Sequence, residues 1–184
     1  MTTRTLADLL ADHVACGDAE RTDLARAVRL LDTGDPWHRS APVHFTASAL
    51  IVHPPTRRVL LRWHERQRSW LHVGGHADPG ETDPLDVALR EAWEETGLGD
   101  LVPWPAAGLV HVAVVPVPAS AVEPAHDHAD LRFVLATATP EAARPEKPAA
   151  ALRWLSFPEA REATTEENLR ETLGRAERLL AATP

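Results

Sequence analysis

Three glutamates, Glu91, Glu94 and Glu95, stand at i, i+3 and i+4 in the run Arg90-Glu91-Ala92-Trp93-Glu94-Glu95. On an α-helix this spacing gathers them within roughly 100° of one another. Like charges placed so repel by a few tenths of a kcal/mol per pair. A divalent cation reverses the sign. Hard carboxylate oxygens on one helix face suit Mg²⁺, which keeps several waters and then accepts substrate phosphates. Taken alone, these six residues describe a solvated acidic face as well as they describe a metal site.

The element that must carry them is well marked. A helix is expected over 82–96, with Asp83 as its N-cap, Pro84 in the first helical position and Asp86 in the first turn, where the dipole favours acids. Gly97 supplies the stop. Leu85, Ala88, Leu89 and Ala92 share one stripe and should face the core, which turns the glutamates to the other side.

The surroundings of that helix resemble the Nudix box, G-x5-E-x7-R-E-U-x-E-E-x-G-U with U a bulky aliphatic residue. Gly75, Glu81, Arg90, Glu91, Glu94, Glu95, Gly97 and Leu98 fall on its positions in order. There are two departures. Eight residues rather than seven separate Glu81 from Arg90, the extra one falling in the turn at Thr82–Pro84, and Ala92 stands where a larger aliphatic is usual. The wider resemblance runs from about His44 to Phe157, and Gly-Gly-His-Ala-Asp-Pro-Gly-Glu with the later His-Asp-His-Ala-Asp-Leu-Arg-Phe is similar to one bacterial group of the family.

The resemblance implies an α/β fold, a Nudix-type α/β/α sandwich with a mixed β-sheet. It implies Mg²⁺-dependent cleavage of a diphosphate bond in a small nucleoside-diphosphate-type substrate, with Mn²⁺ as an alternative cation. Glu91 and Glu95 would be metal ligands, Glu94 a further ligand or the base, and the Gly75 carbonyl would complete the site. Arg90 would pair with a box glutamate, and Glu81 would support that network or hold a further metal. The base in such enzymes is a box glutamate or a residue of a distant loop. Here the loop candidates are Glu123, Asp127 and Asp130, flanked by His126 and His128. Each, taken singly, reads first as exposed loop polarity.

Substrate contacts are sought beside the box. Arg57, Arg58, Arg62, Arg66 and Arg68 meet a single acid, Glu65, within residues 57–68. Arg62 and Arg66 flank the turn nearest the box and are the candidates for phosphate contact, against the simpler reading of a solvated strand edge. Trp63 and Trp70 carry faces that could stack on a base or sugar, although core packing is the commoner fate of tryptophan. His72 and His76 flank Gly74-Gly75, and His76 is read as a supporting residue near the substrate.

Around this centre the chain divides into an N-terminal helical extension, 1–40, and the Nudix domain, 41–184. Two short helices are expected in the extension. Leu6, Leu9, Leu10 and Val14 mark the first; Leu24, Ala27, Val28 and Leu31 mark the second, which Asp18 caps and Gly34 ends. Strands are expected over 42–53, 57–63, 70–73, 108–117, 130–139 and 152–155, with loops at 118–129 and 140–148. A turn or short helix follows at 157–160. A last helix starts near Thr164 or Thr165 with Glu167 in a capping box, and buries Leu169, Leu173, Ala176 and Leu180.

Composition excludes other roles. A net charge of −8 over 184 residues disfavours long nucleic acid, which is bound through many basic contacts. No apolar run reaches the roughly 18 residues of a membrane span, and the start lacks a secretory signal. A lone Cys16 fits a reducing cytoplasm and excludes a cysteine zinc cluster. Monomer and homodimer stay open. Two rivals resemble the same fold. An isoprenyl-diphosphate isomerase-like enzyme would need a cysteine at the site, and Cys16 lies in the extension. A catalytically weak nucleotide-binding or sensor domain would usually lack box glutamates, and all are present.

Overall fold

The computed structural model describes residues 5–121 and 123–182. Its centre is a mixed sheet in which β1 (Val43–His53) and β7 (His126–Ala136) run parallel over ten residue pairs, from Val43 beside Asp127 to Val52 beside Ala136. Every other pairing is antiparallel. β2 (Arg58–His64), β3 (Ser69–Leu71) and β8 (Leu152–Ser156) extend the sheet beyond β1. β5 (Val102–Pro103) and β6 (His111–Val117) extend it beyond β7, and β4 (Val73–Gly75) pairs with the middle of β1.

Apolar side chains fill both faces of the sheet. On one side Phe45, Ala47, Ala49, Ile51, Leu131 and Phe133 pack against α1 (Leu6–Asp12), α2 (Asp18–Leu30) and α3 (Pro84–Thr96). On the other, Leu50, Val52, Val59, Leu61 and Val134 meet α4 (Phe157–Ala163) and α5 (Glu167–Ala182), where Leu169, Leu173, Ala176 and Leu180 form the anticipated stripe. The result is the expected α/β/α sandwich. Strands buried on both faces are characteristic of parallel pairs.

The edge strand β6 is closed off by side chains of α2. Glu20 Oε1 accepts from Val112 N at 2.9 Å and Asp23 Oδ2 accepts from Val114 N at 3.0 Å. These bonds occupy backbone donors that would otherwise invite a further strand. Glu20 is almost fully buried and also meets Arg175 of α5 at 2.6 Å and His13 Nε2 at 2.7 Å.

Several boundaries differ from expectation. α1 ends at Asp12, so Val14 is 87 % exposed rather than on a buried stripe. α2 ends at Leu30, short of Gly34; its N-cap is Gly17, and Val28 faces solvent. β7 begins at His126, four residues before the expected start, because pairing with β1 and β6 supplies ladder bonds to a His-Asp-His run that resembles a loop. The expected strand at 70–73 is two short strands interrupted at His72. α5 starts at Glu167 without the expected capping box; that device instead closes α1, through Thr5 and Asp8, and α4, through Ser156 and Glu159.

One buried histidine gives the fold a pH dependence. His111 of β6 sits against α5 with Nδ1 2.8 Å from Thr172 Oγ1. Burial, and then the Arg132 and Arg175 guanidinium groups, push its pKa well below the ordinary imidazole value, against the opposing pull of Glu20 and Asp130. The unfolded chain therefore binds a proton that the folded chain refuses. Stability from this group is complete above the ordinary histidine pKa and falls as the pH drops below it. Urea denaturation between about pH 7 and pH 5 should show stability declining with acid, with a shallower slope in His111→Gln, by up to about 1.4 kcal/mol per pH unit. Parallel slopes for the two proteins would contradict the assignment.

Candidate active site

The carboxylate helix α3 forms as its sequence dictates. The Asp83 side chain accepts from Leu85 N at 2.9 Å, Pro84 opens the first turn, and Gly97 ends the helix in the left-handed conformation at φ 68°. Val87, Ala88 and Ala92 are fully buried against the sheet, with Leu85 and Leu89 partly so. The small Ala92 thus sits at the helix–sheet contact. Burying this stripe leaves Glu91, Glu94 and Glu95 facing away from the core, and α3 packs on β4, which carries Gly74 and Gly75.

Both glycines are required by close approach. A Cβ on Gly75 would lie 2.6 Å from Glu91 Oε1, and one on Gly74, already at φ +146°, would lie 2.5 Å from the Ser48 Cα. Without side chains there, the Glu91 carboxylate closes on the strand and Gly74 N donates to Glu95 Oε2 at 3.2 Å.

Arg90 ties the remaining acids together. Its Nη2 and Nε donate to Glu81 at 2.8 and 2.9 Å, its Nη1 donates to Glu91 Oε1 at 2.9 Å and to Glu94 Oε2 at 3.2 Å, and Nη2 also reaches the His76 carbonyl at 2.8 Å. The planar guanidinium fork makes this multiple contact available. The extra residue before the helix therefore does not take Glu81 out of reach of Arg90. This pairing lowers the Glu81 pKa, and Glu81 in turn is the largest influence raising that of Arg90.

Glu91 and Glu95 have the opposite electrostatics. Burial raises the Glu91 pKa against the pull of Arg90. Burial likewise pushes Glu95 up to about 7, although Arg62 Nη1, 3.2 Å from Glu95 Oε1, opposes it. Two carboxylates held out of water beside each other are short of positive charge, which a divalent cation would supply. The cradle at Gly75, left open for the Glu91 carboxylate, and this oxygen donor set fit such an ion. Glu94 is the most exposed of the three.

A cavity of about 760 Å³ opens beside this edge of the helix. Glu95, Gly74, Gly75, Arg62, Arg66, His76, His128 and Glu123 are among the residues that line it. Of the five arginines in the basic stretch, only Arg62 and Arg66 are among those lining residues. Arg62 bridges Glu95 and Glu146, and Arg66 donates to the Pro118 carbonyl at 3.2 Å. Trp70 is not brought there: it packs edge-on to Trp63 and beneath Arg153, against the core on the α4–α5 side.

The expected loop of base candidates is rearranged. Asp130 is a buried β7 residue, bonded to Arg132 Nε at 2.7 Å and accepting from Thr46 and Ser48. Burial pushes its carboxyl up, but Arg132 and His72 outweigh it and hold the group ionised. Asp127 pairs with Arg26 at 2.6 Å, and Glu123 is exposed. His128 turns toward His44 and His76 instead of solvent. The buried set Asp130, Arg132, Thr46 and Ser48 carries no local sequence signal; only the β1–β7 register joins it.

The carboxylate-bearing helix α3 and the Gly-Gly strand β4 beside it both fall within the part of the chain that matches a known family. The NUDIX domain model matches residues 42–175, and the chain belongs to that family. Among solved structures it is similar to a hydrolase of the NUDIX family from Clostridium perfringens, with 25% identity, a TM-score of 0.55, and 76% of this chain and 97% of the other covered. A C. elegans Ap4A hydrolase matches at 17% identity and TM-score 0.60, covering 76% and 98%. The E. coli dihydroneopterin triphosphate pyrophosphohydrolase matches at 20% identity and TM-score 0.56, covering 78% and 98%. Among curated proteins the chain has no match. The extension before residue 42 lies outside the family match. Among the described residues no helix is long and apolar enough to cross a membrane.

Proposed function

We propose that this enzyme is a Mg²⁺-dependent hydrolase of a small nucleoside-diphosphate-type substrate, working in the cytoplasm. The observation that carries the reading is the pair Glu91 and Glu95, buried at the Gly74-Gly75 strand with raised pKa values and Arg90 bracing Glu91 from the side. Glu91 and Glu95, with the Gly75 carbonyl, would hold the cation, and Mn²⁺ would serve in its place. When bound, the ion neutralises the diphosphate and makes water more acidic. Glu94 is a further ligand or the group that takes the proton from the attacking water. Arg90 and Glu81 act by position: the guanidinium fixes the glutamate side chains so that little reorganisation accompanies reaction.

Nucleoside-diphosphate sugars, dinucleoside polyphosphates and nucleoside triphosphates offered with and without Mg²⁺ test the reading. Cation-dependent release of a phosphoryl product from at least one is expected. Tight binding of these compounds without turnover would favour the sensor alternative. The isomerase alternative is not favoured, since Cys16 is exposed and lies between α1 and α2 rather than at the cavity.

Arg66 is the cleaner of the two arginines for testing substrate contact, because Arg62 is also the counter-charge of Glu95. Arg66→Ala should raise KM several-fold with little change in kcat, as expected for lost uniform binding, and the effect should shrink in high salt. A wild-type KM at low salt would assign Arg66 to the solvated strand edge.

A further inference from the structure

Four imidazoles from separate parts of the chain meet beside the cavity, and three of them, His76, His126 and His128, line it. His44 lies on β1, His76 follows β4, and His126 and His128 lie on β7. The His44 ring stacks on His76 and on His126, with centroids 5.2 Å apart in each case, and His128 stands edge-on to both His44 and His76 at 5.0 and 4.8 Å. Nε2 of His44 is 3.1 Å from Nε2 of His76, and Nε2 of His126 is 3.1 Å from Nε2 of His128. One ligand atom from each of His44, His76 and His128 falls within 4.8 Å of the others.

Two of the four outer nitrogens are already committed. His44 Nδ1 lies 3.0 Å from the Ala41 carbonyl and His126 Nδ1 2.9 Å from the Pro124 carbonyl. A carbonyl only accepts, so each Nδ1 carries the proton and each Nε2 presents a lone pair to the cluster. This is the arrangement that orients metal-bound histidine, with the far N–H held by a backbone carbonyl. Two nitrogens at about 2.0–2.1 Å from one tetrahedral ion are about 3.4 Å apart, close to the spacing of the paired rings. Imidazole donors select Zn²⁺, Ni²⁺ or Co²⁺ over the hard Mg²⁺.

We propose that His44, His76 and His128, with His126 as the fourth ring at the rim, form a binding site for a Zn²⁺-type transition-metal ion, separate from the carboxylate site of α3. His76, His126 and His128 line the same cavity as Glu95, so an ion held by them would face the substrate bound there. A metal takes the neutral imidazole, and His44 is fully buried with His76 and His128 half-buried beside it. Arg39, Glu123 and Asp130 are the charged side chains that act on these rings. The inference does not depend on the identity of the diphosphate substrate or on turnover.

The test uses the untagged full chain, stripped with chelator, and Zn²⁺ alone as the probe. Competition against a chromophoric chelator should reveal one tight site in the wild type. His128→Gln and His44→Gln should each weaken it about a hundredfold, since losing even a supporting partner of a ligand costs about 10- to 100-fold. His53→Gln, at a half-buried histidine packed near Trp154 outside the cluster, and Glu95→Gln should leave it unchanged. Nitrogen-15 spectra of the wild-type rings should show the cluster Nε2 signals moving on Zn²⁺ addition, a readout that needs no variant to fold. Weak or absent Zn²⁺ binding, loss of the site in Glu95→Gln, or movement of histidine signals outside the cluster in its place would overturn the proposal.

Discussion

Glu95→Gln should lower kcat by roughly a hundredfold or more at saturating Mg²⁺, the scale set by several kcal/mol of charge stabilisation at a metal-assisted transition state. The exchange keeps the size of the side chain and an oxygen to accept from Gly74 N–H. It removes the charge that, with Glu91, would hold the cation. Stability should respond in the opposite sense. Because burial disfavours ionised Glu95 in the absence of metal, pushing its pKa up to about 7, the variant should unfold at the wild-type temperature or above it. Activity loss accompanied by a falling Tm would instead mark Glu95 as a structural residue. Wild-type turnover in the folded variant would remove it from the metal site.

Glu20→Ala is expected to be the most damaging single change outside the site. It removes the buried counter-charge of Arg175, which is 7 % exposed and keeps Glu171 at the surface and the Val110 and Cys16 carbonyls, and it takes the acceptor from Val112 N. Breaking a buried ion pair by removing one partner costs about 3–5 kcal/mol. Denaturant titration should register a loss of that order, with Glu20→Gln intermediate. We propose that the described part of the extension, residues 5–40, is structural, since Glu20 and Asp23 of α2 occupy the edge of β6. A loss under about 1 kcal/mol, the size of an exposed pair, would mean the extension is only loosely joined.

The parts of this protein that were legible in the sequence are those governed by local rules. Asp83, Pro84 and Gly97 bound α3 through neighbouring backbone groups, so both its ends and the side on which Glu91, Glu94 and Glu95 lie follow from spacing. The α5 stripe is legible for the same reason. What escaped notice depends on partners distant in the chain. His126 to Ala129 resemble a loop until β1 supplies the ladder. Glu20 and Arg132 look like surface charges until Arg175 meets the one, and Asn168 and Thr172 of α5 meet the other, across the fold. His44 reads as one polar position in an alternating strand, and only the parallel register beside His128 places it in a histidine cluster. Trp70 shows the converse, where a side chain with the right chemistry is turned toward the core by its pairing with Trp63.

The central claim is that water attacks phosphorus in a diphosphate bond at the α3 carboxylates. Its most direct test is hydrolysis of an accepted substrate in ¹⁸O-water with Mg²⁺, with mass analysis of both products. The account predicts one ¹⁸O in a phosphoryl group of one product, the other product unlabelled, and about a hundredfold less product with Glu95→Gln. Label on a carbon-bound oxygen, or undiminished product formation by the variant, would contradict it.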